Sequence, residues 1–332
     1  MALDGAAFSP KEFGLAIQAE SAIGTAVVND MTRINVDSVE MPNFNLTQVL
    51  EARSGSSGRL ADADDVFISD KGVKREITFS GICDDTTLPF LLQNATSVAE
   101  SSDIVTVEDT YSPPELETGA SSAINKSITI ALLQPNTGAN KNIIFPGCTI
   151  TNFTITGDMG NESGRLRFSA TAATGFTPSY AQAAPTVAAY GTTFYSLATL
   201  SAKKTIAGAA DCVVQSFNLN IENPSEYVGQ GDSSGNPESI VRSIPEMIMT
   251  MDATVKYDNN TAGFPDTMKA GTNVATLLCD QTTIANGSTK FGIQADNGRI
   301  TSVAFNEANA MMVDVSTKFV VSGSTDVLIV HT

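Results

Sequence analysis

Residues 37–84 read DSVEMPNFNL TQVLEARSGS SGRLADADDV FISDKGVKRE ITFSGICD, and this stretch decides the fold. Val39, Met41, Phe44 and Leu46 mark a first strand. Glu76-Ile77-Thr78-Phe79-Ser80 alternates as the return strand. Between them a polar loop runs from Gln48 to Lys74, with Ser54-Gly55-Ser56-Ser57-Gly58 at a turn. The same order recurs later: Ser216-Phe217-Asn218-Leu219-Asn220-Ile221, then Gly231-Asp232-Ser233-Ser234-Gly235, then Met247 to Tyr257. Both copies hold a Phe-Asn-Leu core (Phe44-Asn45-Leu46 and Phe217-Asn218-Leu219) and a Ser-Ser-Gly turn. Recurrence of a whole unit in order is the mark of an internal duplication.

Working outward, Asp84 to Leu92 predicts a short helix, with an Asp or Thr cap and Pro89 in its first turn. Lys126 to Leu132 predicts a strand. Another starts at Asn142 to Phe145 and is interrupted by Pro146-Gly147. Ile150-Thr151-Asn152-Phe153-Thr154-Ile155 follows. After a hairpin tip at Gly157 to Gly164, Arg165 to Thr171 returns with Leu166, Phe168 and Ala170 on one face. In the second half, Met247 to Tyr257 alternates cleanly, Met268 to Leu278 takes the place of the helix, and Lys290-Phe291-Gly292-Ile293 parallels Ser127-Ile128-Thr129-Ile130. Ile300-Thr301-Ser302-Val303-Ala304-Phe305 repeats the pattern of Ile150 to Ile155, and Met311, Val313 and Val315 stand where Leu166, Phe168 and Ala170 stood.

The expected fold is therefore mainly β: two tandem β-sandwich or barrel domains, each with a short flanking helix and a long strand–loop–strand unit. The expected division is an N-terminal arm over 1–30, a first β domain over 31–177, an Ala/Pro/Thr-rich linker over 178–200 and a second β domain over 201–332. At 332 residues the chain is long for a single core.

The formal charge is −17 and the pI about 4.3. Such a surface repels nucleic-acid phosphates, so direct nucleic-acid binding is disfavoured. Either the acids serve solubility, or they form a surface that a polyanion must pass without sticking. The start of the chain lacks the basic and apolar regions of a secretory signal, and no run reaches the ~18 apolar residues of a membrane helix. Cys83, Cys148, Cys212 and Cys279 form no C-x-x-C pair and are expected as buried free thiols.

Enzyme motifs are missing: no Walker sequence, no H-E-x-x-H, no G-x-S-x-G. The one histidine, His331, reads as a solvated tail residue. Asp62, Asp64, Asp65 and Asp70 could offer oxygens to Ca²⁺, but without the spacing of a helix–loop–helix site they read as a solvated loop. Asn45, Asn94 and Asn125 open Asn-x-Ser/Thr triplets that carry little weight without a secretion signal. Arg165, Arg167, Arg242 and Arg299 are scattered, and fit salt bridges between subunits better than a phosphate track. No catalytic residue, cofactor or metal is expected.

Sheet edges must be paired or covered, and a closed ring of subunits removes them. The two long loops exceed hairpin length and are placed to reach a neighbouring ring. Their candidate contact residues are Glu51, Arg53, Arg59, Asp62, Asp64, Asp65, Tyr227, Asp232, Glu238 and Arg242.

Several stretches resemble the major tail (tail tube) proteins of long-tailed bacteriophages. They are Phe13-Gly14 with Glu20 to Gly24, the strand–loop–strand unit, Asp84 to Leu92, and the run from Pro146 through Ile155, Gly157 and Gly160 to Gly164-Arg165-Leu166-Arg167-Phe168. The resemblance covers residues 10–177, and reaches the second half through the repeat. It implies tail-tube-like domains in a structural virion protein that assembles stacked rings, trimeric with pseudo-six-fold symmetry when a chain carries two domains. It further implies assembly in the host cytoplasm, contact with other tail proteins, and a lumen that viral DNA crosses without specific binding. The alternative from another class is a β-rich adhesin, surface-layer or virion decoration protein.

Overall fold

The computed structural model describes residues 10–40, 47–50, 66–69, 71–96, 109–111, 127–134, 141–200, 203–229, 235–242, 246–279, 291–306, 311–319 and 327–331. Among the described residues the chain is mainly β with two short α-helices. The first half holds β1 (Gly14–Ala19), β2 (Thr32–Ile34), β3 (Val36–Glu40), β4 (Thr47–Leu50), β5 (Val66–Ser69), β6 (Arg75–Ile82), α1 (Thr87–Thr96), β7 (Asp109–Tyr111), β8 (Ile128–Leu133), β9 (Asn142–Asp158), β10 (Arg167–Thr174) and β11 (Ser179–Gln182). The second holds β12 (Lys203–Ile206), β13 (Ala209–Glu222), β14 (Ser225–Val228), β15 (Ser239–Arg242), β16 (Ile248–Lys256), α2 (Phe264–Ala270), β17 (Val274–Cys279), β18 (Phe291–Asn306), β19 (Met312–Phe319) and β20 (Val327–His331).

Each half closes on itself as an antiparallel barrel. In the first, β1 pairs with β8, β8 with β9, β9 with β10, β10 with β6, and β6 with β3. The run β2–β3, broken only at Asn35, returns to β1. In the second the circuit is β12, β17, β18, β19, β16, β13 and back to β12. Strand for strand the circuits match, and so do their irregularities. Asp37 is the extra residue opposite β6, as Gln215 is opposite β16. Thr151 is extra opposite β10, as Thr301 is opposite β19. Both long loops carry a hairpin, β4–β5 and β14–β15, with the same four-pair register.

Alternation makes the barrel walls. On β6, Ile77 and Phe79 are buried while Glu76 faces solvent; on β16, Met249, Met251, Ala253 and Val255 point inward. One continuous apolar cluster runs through both barrels, each buried Phe, Leu or Ile in it contributing about 1.5–3 kcal/mol. Helix α1 closes one barrel end with Leu88, Leu91, Leu92 and Ala95. Asp84 starts it: its carboxylate accepts from the N–H groups of Thr86 (3.0 Å) and Thr87 (2.7 Å), and from Asn35 Nδ2 (2.6 Å).

Several expectations are revised. Pro146-Gly147 does not end a strand. β9 runs through it as one 17-residue element, exchanging its β8 neighbour for β10. Gly147 has φ +63, and a side chain there would strike Phe176; its N–H leaves the ladder and donates to Glu20 Oε1 at 2.8 Å. Gly14–Ala19, read as part of an arm, is a fully engaged strand with Leu15, Ala16 and Ile17 buried. The second helix spans Phe264–Ala270, not Met268 to Leu278; Val274–Cys279 is strand β17, and it is this strand, not Lys290–Ile293, that matches Ile128–Leu133. Pro265 and Gly271 at the two helix ends carry the correct signal. His331 lies in strand β20 opposite Phe291, not in a tail. Residues 178–200 strap the first barrel, through β11 and the buried Tyr195, Leu197 and Leu200.

Candidate assembly surface

The two barrels are joined edge to edge. β13 pairs antiparallel with the C-terminal half of β9, Leu219 opposite Ile155 and Phe217 opposite Gly157. A side chain at Gly157 would meet Leu166 and Phe217, so the missing Cβ lets the two barrels approach. The outcome is a run of eight antiparallel strands, β3-β6-β10-β9-β13-β16-β19-β18. Its inner side lies on the shared core. Its outer side is mainly polar, with Ile82, Ile248 and Met312 half-buried among the polar side chains.

Register sets that polarity in rows. Ser38, Ser80, Ser169, Thr154, Asn220, Thr250 and Lys318 lie successively opposite one another across seven strands. Another row reads Arg167, Thr156, Asn218, Asp252, Ser316 and Ser302. Neighbouring side chains bond within the surface: Ser38 Oγ with Ser80 Oγ at 2.9 Å, Thr78 Oγ1 with Thr171 Oγ1 at 3.3 Å, and Thr254 Oγ1 donating to Asp314 Oδ1 at 2.6 Å. The acids Glu40, Glu76, Asp158, Glu222 and Asp252 are exposed among them. Arg167 is held in place by Glu162, at 2.8 Å, and by Asp37. Its hydrogen bonds keep the Glu162 carboxyl below its usual range, and Glu162 and Asp37 in turn raise the Arg167 guanidinium.

Among the described residues, neither end of this run has a second strand paired beside it. β3 has β6 on one side only, and the C-terminal half of β18 has β19 on one side only.

The loop residues expected to reach a neighbouring ring divide into groups. Glu51, Arg53, Arg59, Asp62, Asp64, Asp65 and Asp232 lie outside the described residues, as do Phe44-Asn45-Leu46 and Asp70. Glu238 is exposed beside β15. Tyr227 and Arg242 turn inward. The Tyr227 hydroxyl meets Thr149 Oγ1 at 3.0 Å and donates to the carbonyl of Ala173. Arg242 is buried and donates to the carbonyls of Asn94 and Ile150, which ties the β14–β15 hairpin to the first barrel. Burial lowers its guanidinium to about 10 and raises the Tyr227 phenol. Asn94 itself is buried, its Oδ1 accepting from Ile150 N–H at 2.6 Å, so the triplet it opens is inaccessible. Arg165 lies 5.1 Å over the Phe194 ring, Arg167 finds its acids within the chain, and Arg299 is exposed. The four cysteines are buried free thiols, with Cys83 and Cys148 pushed up by burial and Cys212 raised to about 11. Among the described residues no cluster of His, Cys, Asp or Glu is placed to hold a metal ion.

The duplicated barrel thus presents one broad, mainly polar face whose end strands, β3 and the C-terminal half of β18, have a strand on one side only among the described residues. The chain belongs to the phage tail tube protein family, whose family model matches residues 14–321. No curated protein matches it. It is thus a structural component of the virion tail, assembled in the host cell with copies of itself and other tail proteins. No helix among the described residues is long and apolar enough to cross a membrane.

Proposed function

We propose that three copies close into a ring of six barrels, and that rings stack into a hollow tube through which the viral genome travels. The observation that carries this reading is the eight-stranded run, whose end strands pair on one side only among the described residues. Unpaired strand edges favour continuation by another chain, and a closed ring satisfies them all. The polar face becomes the wall of the bore. Hydroxyls there find partners among themselves, as Ser38 does with Ser80 and Thr78 with Thr171, and exposed carboxylates repel the phosphates of passing DNA. Each chain brings a formal charge of −17, and the principal cation of the first barrel's face, Arg167, is already matched by Glu162 and Asp37. The long loops carry contact to the next ring, with Glu51, Arg53, Arg59, Asp62, Asp64, Asp65, Asp232 and Glu238 as the contact residues. Tyr227 and Arg242 fix the base of the second loop. The protein works by assembly and performs no catalysis.

The test is negative-stain imaging of the purified protein over a wide concentration range. Hollow rings and tubes are expected. A particle that stays a single chain throughout contradicts the proposal.

A further inference from the structure

The segments that lead into the two barrels read alike. Phe8-Ser9-Pro10-Lys11-Glu12-Phe13 precedes β1, and Tyr195-Ser196-Leu197-Ala198-Thr199-Leu200 precedes β12. β1 and β12 are counterparts, since Ala16 reaches Ile144 through Ala131 as Thr205 reaches Gln294 through Leu277. Both stretches hold a tight turn. One is the 3-10 turn Pro10–Glu12; the other is closed by Thr199 N–H to the Ser196 carbonyl at 3.0 Å and Leu200 N–H to the Leu197 carbonyl at 3.2 Å. Lys11 and Glu12 are exposed and Phe13 packs on the core, as Ala198 and Thr199 are exposed and Leu200 is buried. Residues 1–9 lie outside the described ones.

The second of these stretches straps the first barrel. Tyr195 N–H donates to the Cys83 carbonyl at 3.4 Å, and the Tyr195 carbonyl accepts from Leu166 N–H at 2.9 Å. Cys83 and Leu166 are joined beneath it, Cys83 N–H donating to the Leu166 carbonyl at 3.0 Å, and both are 0 % exposed. Registers make Tyr257 the counterpart of Cys83 and Met311 the counterpart of Leu166. The same bond joins them, Tyr257 N–H donating to the Met311 carbonyl at 2.9 Å. Among the described residues no strap crosses that place. Met311 is 48 % exposed and Tyr257 is half-buried, with the half-exposed Phe305 ring edge-on to Tyr257 at 5.2 Å. An apolar patch of this kind marks a surface that something covers.

We infer that residues 7–13 of one copy strap the second barrel of the neighbouring copy, Phe8 taking between Tyr257 and Met311 the place that Tyr195 takes between Cys83 and Leu166. The recipient is a neighbour because of the side on which the segment leaves its own barrel. Pro10–Glu12 packs against β3, and β3 stands three strands from β9, onto which the chain's own second barrel is joined. The strap inside the chain likewise lies at the strand that joins two barrels: a Cβ at Gly157 would meet both Leu197 and Phe217 of β13. The side chains suit each other, since an aromatic ring at position 8 would rest on the thioether of Met311. This rests on the ring reading and adds to it the segment that covers Met311 and Tyr257.

Disulfide trapping tests it in the assembled full-length protein, whose four native thiols are buried. Phe194 stands opposite Asp84 under the strap, which sets Ala7 opposite Asp258 by the same correspondence. Ala7→Cys with Asp258→Cys is therefore the test pair. Arg165→Cys with Ser196→Cys calibrates the yield, since the strap sets those two opposite each other within one chain. Ala7→Cys with Lys256→Cys is displaced by two residues, about 7 Å along the strand, beyond the reach of a disulfide. The expected result on a denaturing gel is linkage between chains through the test pair, at a yield like that of the calibrating pair and at least tenfold above the displaced pair. Tubes that show no such linkage, equal linkage of the displaced pair, or linkage inside one chain overturn the strap while leaving the ring reading standing. Wild-type protein that forms no tubes overturns both. Should the cysteine variants fail to assemble, position 8 decides: Phe8→Tyr is expected to keep tubes and Phe8→Asp to lower their yield at least tenfold. Normal tubes from Phe8→Asp, or none from Phe8→Tyr, overturn the strap.

Discussion

Leu219 lies directly opposite Ile155 across the junction of β13 and β9, and both side chains are fully buried. The two barrels are therefore not beads on a linker; they share an apolar seam. Leu219→Ala is expected to lower stability by about 2–5 kcal/mol. Because one core cluster runs through both halves, the loss is expected as a shift of a single urea transition. Two separate transitions, only one of them moved, would count against a shared core.

Glu20 organises the bend of β9 from inside. Its carboxylate accepts from Ser127 Oγ (2.5 Å), Thr129 Oγ1 (2.8 Å), Gly24 N–H (2.8 Å) and Gly147 N–H (2.8 Å). Glu20→Ala strands these buried donors and is expected to cost about 3–4 kcal/mol. Glu20→Gln, which keeps one oxygen, is expected to cost less. Chemical denaturation of both variants separates a lost acceptor from lost volume.

Phe305 makes little contribution to the single chain and a large one to the assembly. Phe305→Asp is expected to leave the far-UV spectrum and melting temperature of the isolated chain near wild type, because the ring is half exposed already. It is expected to abolish tubes seen in the microscope. Normal tubes from this variant would remove Phe305 from the junction.

The Glu162–Arg167 pair gives an acid-side prediction. Arg167 depresses the Glu162 carboxyl in the folded chain, so the pair's contribution is present above the unfolded value of about 4.3. It is lost as pH falls through the lower folded value. Glu162→Gln is thus expected to be less stable than wild type near neutral pH, by a small margin because the pair is exposed, and equal to it in strong acid. Urea midpoints at pH 7 and in strong acid check this, and a gap that persists in acid would exclude the linkage.

How much of this was legible in the sequence depended on what each signal was made of. The match of Ile300–Phe305 to Ile150–Ile155 is reproduced by the strand registers, residue for residue, because it rested on a full alternating strand with its bulge threonine. The Phe-Asn-Leu match was not of that kind. Registers give Val39, five residues before Phe44, as the counterpart of Phe217, and a three-residue coincidence had no periodicity to anchor it. Met268 to Leu278 is apolar enough for either element, so the pattern alone puts the second helix too late, while Gly271 marks where helix gives way to strand. That Tyr227 and Arg242 turn inward had no local signal: their partners Ala173, Asn94 and Ile150 are brought to them only when the hairpin folds back over the first barrel.

The most direct measurement is the count of wall segments in end-on views of single assembled rings. Six near-equivalent segments around a bore, contributed by three 34.7-kDa chains, are expected if both barrels line the tube through one repeated edge contact. Three wall segments with three outward lobes, or rings held together without any continuous inner wall, would contradict it.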